Sequence, residues 1–239
     1  MSAKQHSCSM SKIDIQFKNF KKFRENEFDS DIYITDRSSD TKFNRAQHKI
    51  TLKIFLENFE PLYVREAVDA TLKELNTDFI EQIILAFPQS FRNDENRDHK
   101  KWSEQVLSVW KEAEKLVKDR MAMVIGVADF NKEEMELLYD KAEILPRIDQ
   151  IRNTPHGLKE FAETNDIQLL SHNDPIPFPV KEVFKEVCQT NPCLPACGPC
   201  FNPRWTARYA IWAELWLVLE SKGYIVKFDN CETLSGSVP

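Results

Sequence analysis

The stretch MVIGVADFNKEEMELLYDKAEILPRIDQIRNTPHGLKEFAETNDIQLLSHND, from Met123 to Asp174, decides the fold of this chain. It reads as strand at Met123–Ala128, helix at Asn131–Ala142, strand at Arg147–Arg152, helix at Pro155–Asn165 and strand at Ile167–His172. Short apolar strands alternating with helices predict a parallel sheet wrapped by helices, because each parallel crossover needs a covering element.

The same rhythm extends upstream. Ile50–Leu56 reads as a strand, Leu62–Leu75 as a helix and Phe79–Phe87 as a strand. Within the helix, Val64, Ala67, Val68, Thr71, Leu72 and Leu75 recur at spacings that put one apolar face inward. A loop rich in Asn, Asp and Arg, Gln89–Lys100, leads into an amphipathic helix, Trp102–Asp119; the mixed charges of Arg92–Lys101 read as solvated surface. Downstream, Cys188–Pro203 is an irregular Pro- and Cys-rich insertion, Arg204–Ser221 a long helix and Tyr224–Phe228 a last strand.

Residues 1–49 are polar and lysine-rich, with one apolar-spaced patch at Ile13, Ile15, Phe17, Phe20 and Phe23. The first dozen residues are expected to be disordered and Ser30–Asn44 to be a loop. Two parts follow: a polar N-terminal segment, 1–35, and a barrel domain, 36–239, that includes the insertion 188–203. Eight βα units take about 250 residues, so the deficit falls on the front. The expected class is α/β, a (β/α)8 TIM-barrel-like fold with a shortened or rebuilt N-terminal portion. A doubly wound open sheet is second, weakened because no Gly-rich loop follows any strand.

Bulk properties narrow the function. The chain has 239 residues, 42% of them hydrophobic, enough for a sizeable core. A net charge of -6 makes no electrostatic case for nucleic acid or an anionic membrane. Residues 1–12 lack a signal-peptide layout, and the best apolar run, Tyr209–Leu219, is short and contains Glu214. A cytoplasmic protein is expected, its six cysteines held as thiols.

The words along the rhythm carry a resemblance. Ile125-Gly126-Val127-Ala128-Asp129-Phe130-Asn131 resembles the fifth-strand phrase of aldo-keto reductase barrels, and Thr51-Leu52-Lys53-Ile54-Phe55 their third-strand phrase. More narrowly, Gln168-Leu169-Leu170-Ser171-His172-Asn173-Asp174-Pro175 is similar to the regulatory (modifier) subunits of glutamate–cysteine ligase. Trp110–Val117, Glu136–Tyr139, Arg208-Tyr209 and Ser221–Ile225 resemble further segments of that family, so the likeness runs from about Ile50 to Phe228.

The reductase resemblance implies a Tyr proton donor tuned by Lys and Asp, with a His orienting the carbonyl. A phenol of pKa about 10 needs such a buried cation to act near neutrality. Only Lys53 matches. Ala86 stands where the His is expected, before Phe87-Pro88, and Asp29 or Asp31 with Tyr33 has the wrong spacing for the Asp–Tyr pair. On the cofactor side, Ala128-Asp129 replaces Ser-Asn, His172 replaces the stacking Tyr, and Lys227–Glu232 ends in acid where a 2′-phosphate grip is implied; only Gln150 matches. Lys53 is therefore read as a vestigial reductase position in a barrel without its chemistry.

What the regulatory-subunit resemblance implies is a non-catalytic role with no cofactor. Such a chain binds the glutamate–cysteine ligase catalytic subunit as a heterodimer, improves glutamate use and relieves feedback inhibition by glutathione. Two departures stand out. The front is shorter than the family's, and Asn153-Thr154-Pro155 replaces the cysteine pair that members can carry after the sixth strand. A covalent tether at that position is excluded.

Cys197-Gly198-Pro199-Cys200 spells a thioredoxin-type motif but sits in a Pro-rich insertion rather than at a helix start. With Cys188 and Cys193 it makes four thiols that could ligate zinc, although only one knuckle-like spacing exists and free thiols are the better reading. His172, Asn173 and Asp174 fall at a strand's C-terminal end, where a barrel does its work, as a partner contact or equally as a cap. Trp205, Tyr209, Trp212, Trp216 and Leu219 form a stripe at helical spacing, with Ile211, Leu215 and Val218 beside it. One side of that helix packs on the barrel and the other is covered either by the Cys-rich insertion or by another subunit; in the second case Trp212 and Trp216 are the candidate docking anchors, since aromatic side chains carry interface energy. The alternatives are an NADPH-dependent reductase with displaced catalytic residues and a thiol or zinc module.

Overall fold

The computed structural model describes residues 20–25, 32–37, 44–88, 98–175, 180–182, 201–213 and 218–230. The parallel succession is built as the apolar rhythm predicts. Strand β3 (Lys49–Leu56) leads to α1 (Leu62–Leu75), β4 (Ile80–Ala86), α2 (His99–Lys118), β5 (Ala122–Ala128), α3 (Lys132–Lys141), β6 (Ile148–Ile151), α4 (Leu158–Thr164) and β7 (Gln168–Ser171). Two short strands precede it, β1 (Phe20–Glu25) and β2 (Ile32–Arg37), and two long ones follow, β8 (Phe201–Ala213) and β9 (Val218–Asn230). All nine form one sheet in the order β1-β2-β9-β8-β3-β4-β5-β6-β7. Strands β3 to β7 are parallel, and the β1–β2, β2–β9, β9–β8 and β8–β3 pairs are antiparallel. The expected α/β succession is thus present with a rebuilt front. Among the described residues no ladder joins β7 to β1.

Alternation on β3 sorts its two faces. Ile50, Leu52, Ile54 and Leu56 enter the main core under the helices, while Thr51, Lys53 and Phe55 point to the opposite, inner face. That inner face carries a smaller apolar cluster of Ile84, Ala128 and Ile148. Helix α1 buries the predicted stripe of Val64, Ala67, Val68, Thr71, Leu72 and Leu75. Local signals set the helix ends. Asp98 accepts from the amides of Lys100 and Lys101 to start α2, and Asn131 and Glu134 close a capping box on α3. Gly126 is needed for packing: a Cβ there would lie 2.4 Å from the Ile148 carbonyl oxygen on β6.

Two expectations are corrected. The helix expected over Arg204–Ser221 is instead most of β8 and the start of β9, with residues 214–217 outside the described residues. Its helical stripe is coincident with a period-two pattern: Trp205, Ala207, Tyr209 and Ile211 are all buried and alternate with the less buried Arg208, Ala210 and Trp212. Aromatic and β-branched residues fit a pleated surface, and pairing with β3 and β9 satisfies the backbone. The second correction is at Ser30–Asn44, where Ile32–Arg37 is a strand because β9 offers it a long partner edge. The last expected strand, Tyr224–Phe228, lies within β9. The boundary expected at residue 35 falls inside β2. The first dozen residues and all of the cysteines lie outside the described residues.

A partly buried polar link ties α1 to the rebuilt part. Glu66 accepts from Lys227 Nζ on β9 at 3.0 Å and from Trp205 Nε1 on β8 at 3.1 Å. No helix among the described residues is long and apolar enough to cross a membrane.

Candidate functional site

Lys53 occupies an inner-face position of β3, opposite Arg208 of β8 in the antiparallel register. A buried ammonium needs a counter-charge, and the chain supplies it from beyond β7, four strands away in the sheet. Lys53 Nζ donates to Asp174 Oδ2 at 2.7 Å, and the Arg208 guanidinium donates to the other carboxylate oxygen, Oδ1. Asp174 lies just beyond β7, near the C-terminal ends of the parallel strands where barrels place their sites. The Phe55 ring sits 5.2 Å from Lys53 Nζ and 5.6 Å from Arg208 Cζ, an aromatic neighbour for both cations.

His172 extends the network. Its Nε2 is 2.9 Å from Asp129 Oδ1, and its Nδ1 lies 3.2 Å from both the amide and a carboxylate oxygen of Asp174. A neutral ring accepts from that amide and donates to Asp129; an imidazolium donates to both carboxylates. Asp129 follows β5 with φ of 59°, a left-handed conformation that its short side chain tolerates. That turn lets its carboxylate accept from the Arg152 amide at 3.0 Å while its own amide donates to the Gln150 carbonyl at 2.9 Å. The Arg152 guanidinium donates to the Asp174 carbonyl.

Electrostatics follow from this packing. Burial lowers Lys53 to about 8, although Asp174 pulls in the opposite direction. Burial disfavours an ionised Asp174, but His172, Arg208 and Lys53 together outweigh it and hold the carboxyl well below its usual range. Burial likewise opposes a charged His172, and its bonds to Asp129 and Asp174 prevail, raising it above the ordinary imidazole value. Lys222 on β9 is lowered, first by burial and then by Arg208. The result is an ionised cluster whose ion pairs are already formed within the chain.

The structure brings Lys53, His172 and Asp174 together and leaves Asn173 exposed beside them. Ala86 ends β4 and pairs with Phe55, so the position where the reductase resemblance implies His carries only a methyl group. Asp129, at the position of the implied Asn, has its carboxylate committed to Arg152 and His172. Gln150 Oε1 is buried without a hydrogen-bond partner among the described residues. Trp212 is half-buried on β8, with its Nε1 likewise unpartnered. Trp216 and the four cysteines Cys188, Cys193, Cys197 and Cys200 lie outside the described residues. Among the described residues no group of His, Cys, Asp and Glu could hold a metal ion.

Arg208, Asp129, Arg152 and Lys222 are the members that sequence reasoning did not assign to the site. The signal for Arg208 was its alternation with Trp205, Ala207, Tyr209 and Ile211, which a strand reading would have turned toward the face of Lys53.

No protein-family model matches the chain. Over 191 residues it is 30% identical to the Homo sapiens glutamate–cysteine ligase regulatory subunit, covering 77% of this chain and 67% of that relative. The Mus musculus protein of the same name matches over the same shares at 30% identity. An Arabidopsis thaliana protein, aldo-keto reductase family 4 member C11, is 27% identical over 130 residues, 52% of this chain and 41% of its own. Among solved structures, an aldo-keto reductase from Brucella melitensis aligns with a TM-score of 0.46 at 19% identity, covering 61% of this chain and 54% of that one.

Proposed function

The chain belongs to the glutamate–cysteine ligase regulatory subunit family, and from that premise we propose that it is a non-catalytic subunit acting through a protein partner. It binds the ligase catalytic subunit as a heterodimer, lowers the glutamate requirement and weakens feedback inhibition by glutathione. The observation that carries the non-catalytic part is the state of Lys53. Its ammonium is committed to Asp174 at 2.7 Å rather than to a phenol, and Ala86 offers no group to orient a carbonyl. A reductase needs a proton donor beside that lysine. The groups that hydrogen-bond to it, act on its charge or lie beside it among the described residues include Asp174, Arg208, Asp129, His172 and Phe55.

Asn173 and Trp212 are the proposed partner contacts with most support, because His172 and Asp174 have side chains only 5% and 6% exposed. Trp216 stays in the proposal on its sequence alone.

The test is size-exclusion chromatography of the chain with the catalytic subunit from the same source, followed by ligase assays across glutamate and glutathione. A shared peak, with lower glutamate need and weaker glutathione inhibition, is expected. Separate peaks with unchanged kinetics would overturn the proposal, and turnover of NADPH with a generic aldehyde would restore the reductase alternative.

A further inference from the structure

Met121 stands where four elements meet, at the N-terminal end of β5. It leaves α2 through a turn in which Arg120 has a φ of 60°. Its amide donates to the Leu116 carbonyl of α2 at 2.9 Å, and its carbonyl accepts from the Ile80 amide of β4 at 2.9 Å. The side chain is half-buried and packs against the main core. Arg65 joins it from α1. Its Nη1 donates to the Met121 sulfur at 3.1 Å, its Nε to Glu112 Oε1 at 2.9 Å and its Nη2 to Asp119 Oδ2 at 2.9 Å.

A thioether sulfur carries two lone pairs, and an oxidant that takes one or the other makes a different sulfoxide epimer. In a freely turning side chain the two are equivalent in access. At Met121 they are not, because the Arg65 guanidinium covers one of them. Charge-assisted bonds to two carboxylates on α2 hold that guanidinium in place, so it is a fixed screen. Met123, two residues on, supplies the contrast within the same strand: it is 60% exposed, and its sulfur has no hydrogen bond among the described residues.

We propose that Met121 is a site of stereoselective, reversible oxidation by hydroperoxides, with Arg65 selecting the sulfur face that reacts. The open lone pair attacks a peroxide oxygen. The S–O bond forms as the O–O bond breaks, the sulfur is oxidised and the peroxide reduced, and the leaving oxygen departs with a proton as water or an alcohol. One epimer accumulates, and the one class of methionine sulfoxide reductase that recognises it restores the thioether. Since Met121 packs against the main core, the cycle exchanges an apolar contact for a polar one and back. The site stands on this chain alone and does not depend on a ligase partner.

The experiment treats the folded full chain with hydrogen peroxide to partial conversion and digests it with trypsin. Cleavage after Arg120 and Lys132 releases a peptide that holds Met121 and Met123 and no other methionine. Portions are treated with a reductase for each epimer, and fragment masses report the sulfoxide left at each position. At Met121 one epimer is expected to exceed the other at least about five-fold, the preference that a single hydrogen bond supports, whereas Met123 gives the two in near-equal amounts. Arg65→Ala should bring Met121 to the same near-equality. If that variant does not fold, Asp119→Asn, at a side chain 52% exposed, loosens the guanidinium and should lower the excess. Near-equal epimers at Met121 in the parent overturn the proposal, as does an excess that neither variant lowers. So does a Met121 that stays unoxidised when Met123 is fully converted.

Discussion

Lys53 and Arg208 face each other across the β3–β8 ladder and share one carboxylate, Asp174, which arrives from beyond β7. The antiparallel part of the sheet is thereby joined to the far end of the parallel part through the inner face, where no ladder among the described residues does so. The consequences can be measured on the isolated chain.

Removing the shared carboxylate should cost more than removing either cation. Asp174→Ala leaves two buried or nearly buried cations facing each other, and a loss of about 3–5 kcal/mol is expected. Lys53→Met removes a desolvated ammonium and leaves Asp174 with Arg208 and His172, so its loss should be smaller. Urea titrations of both variants give the order; a larger loss for Lys53→Met would show that Asp174 does not hold the pair together.

The pH dependence has two opposed parts. His172 is raised above its ordinary value in the folded chain, so its contribution is complete below about pH 6.5 and is lost as pH rises through the raised value. Lys53 is lowered to about 8 from 10.5, so the unfolded chain binds more protons between those values and stability from this group rises across that window. Subtracting the stability curve of His172→Asn from that of the parent should give a difference that shrinks above pH 6.5. The same subtraction with Lys53→Met should give one that grows from about pH 8 upward.

Glu66 is the second internal tether. Glu66→Ala removes the carboxylate that receives both Lys227 and Trp205, and a cost of about 1–3 kcal/mol is expected. Glu66→Gln keeps an acceptor and should cost less. Equal midpoints for the two variants in chemical denaturation would mean that the charge contributes nothing.

The two described tryptophans of β8 should separate. Trp205 is fully buried, and Trp205→Ala should cost about 3–5 kcal/mol. Trp212 is half-buried, with no hydrogen-bond partner for its indole N–H among the described residues, so Trp212→Phe should leave stability unchanged or raise it slightly. If Trp212 also anchors the ligase partner, the same variant should weaken complex formation while melting like the parent, which calorimetry and co-elution read separately.

Gly126→Ala should disturb the β5–β6 pair. The added Cβ would sit 2.4 Å from the Ile148 carbonyl oxygen and 2.6 Å from the Ile148 Cβ, neither of which can move without shifting the strand. A loss of about 1–3 kcal/mol follows. Amide exchange should speed up at Asp129, whose N–H pairs with the Gln150 carbonyl at the end of that ladder.

The sequence by itself determined the parallel part of the sheet, because from Lys49 to Ser171 each element is specified locally. Alternation or continuous apolar runs mark the strands, the Val64–Leu75 stripe and the Asn131–Glu134 capping box mark helices, and each signal is complete within a dozen or so residues. Lys53 and Asp174 were legible as separate positions in the same way. What only the tertiary structure decided is the region after Arg204 and the pairing inside the site. The residues from Trp205 to Trp212 satisfy helical and two-residue periods at once, and the choice between them rests on the open edges of β3 and β9, a non-local pairing that no local pattern encodes. The bond between Lys53 and Asp174 spans 121 residues, so it exists only after the sheet has brought their ends together.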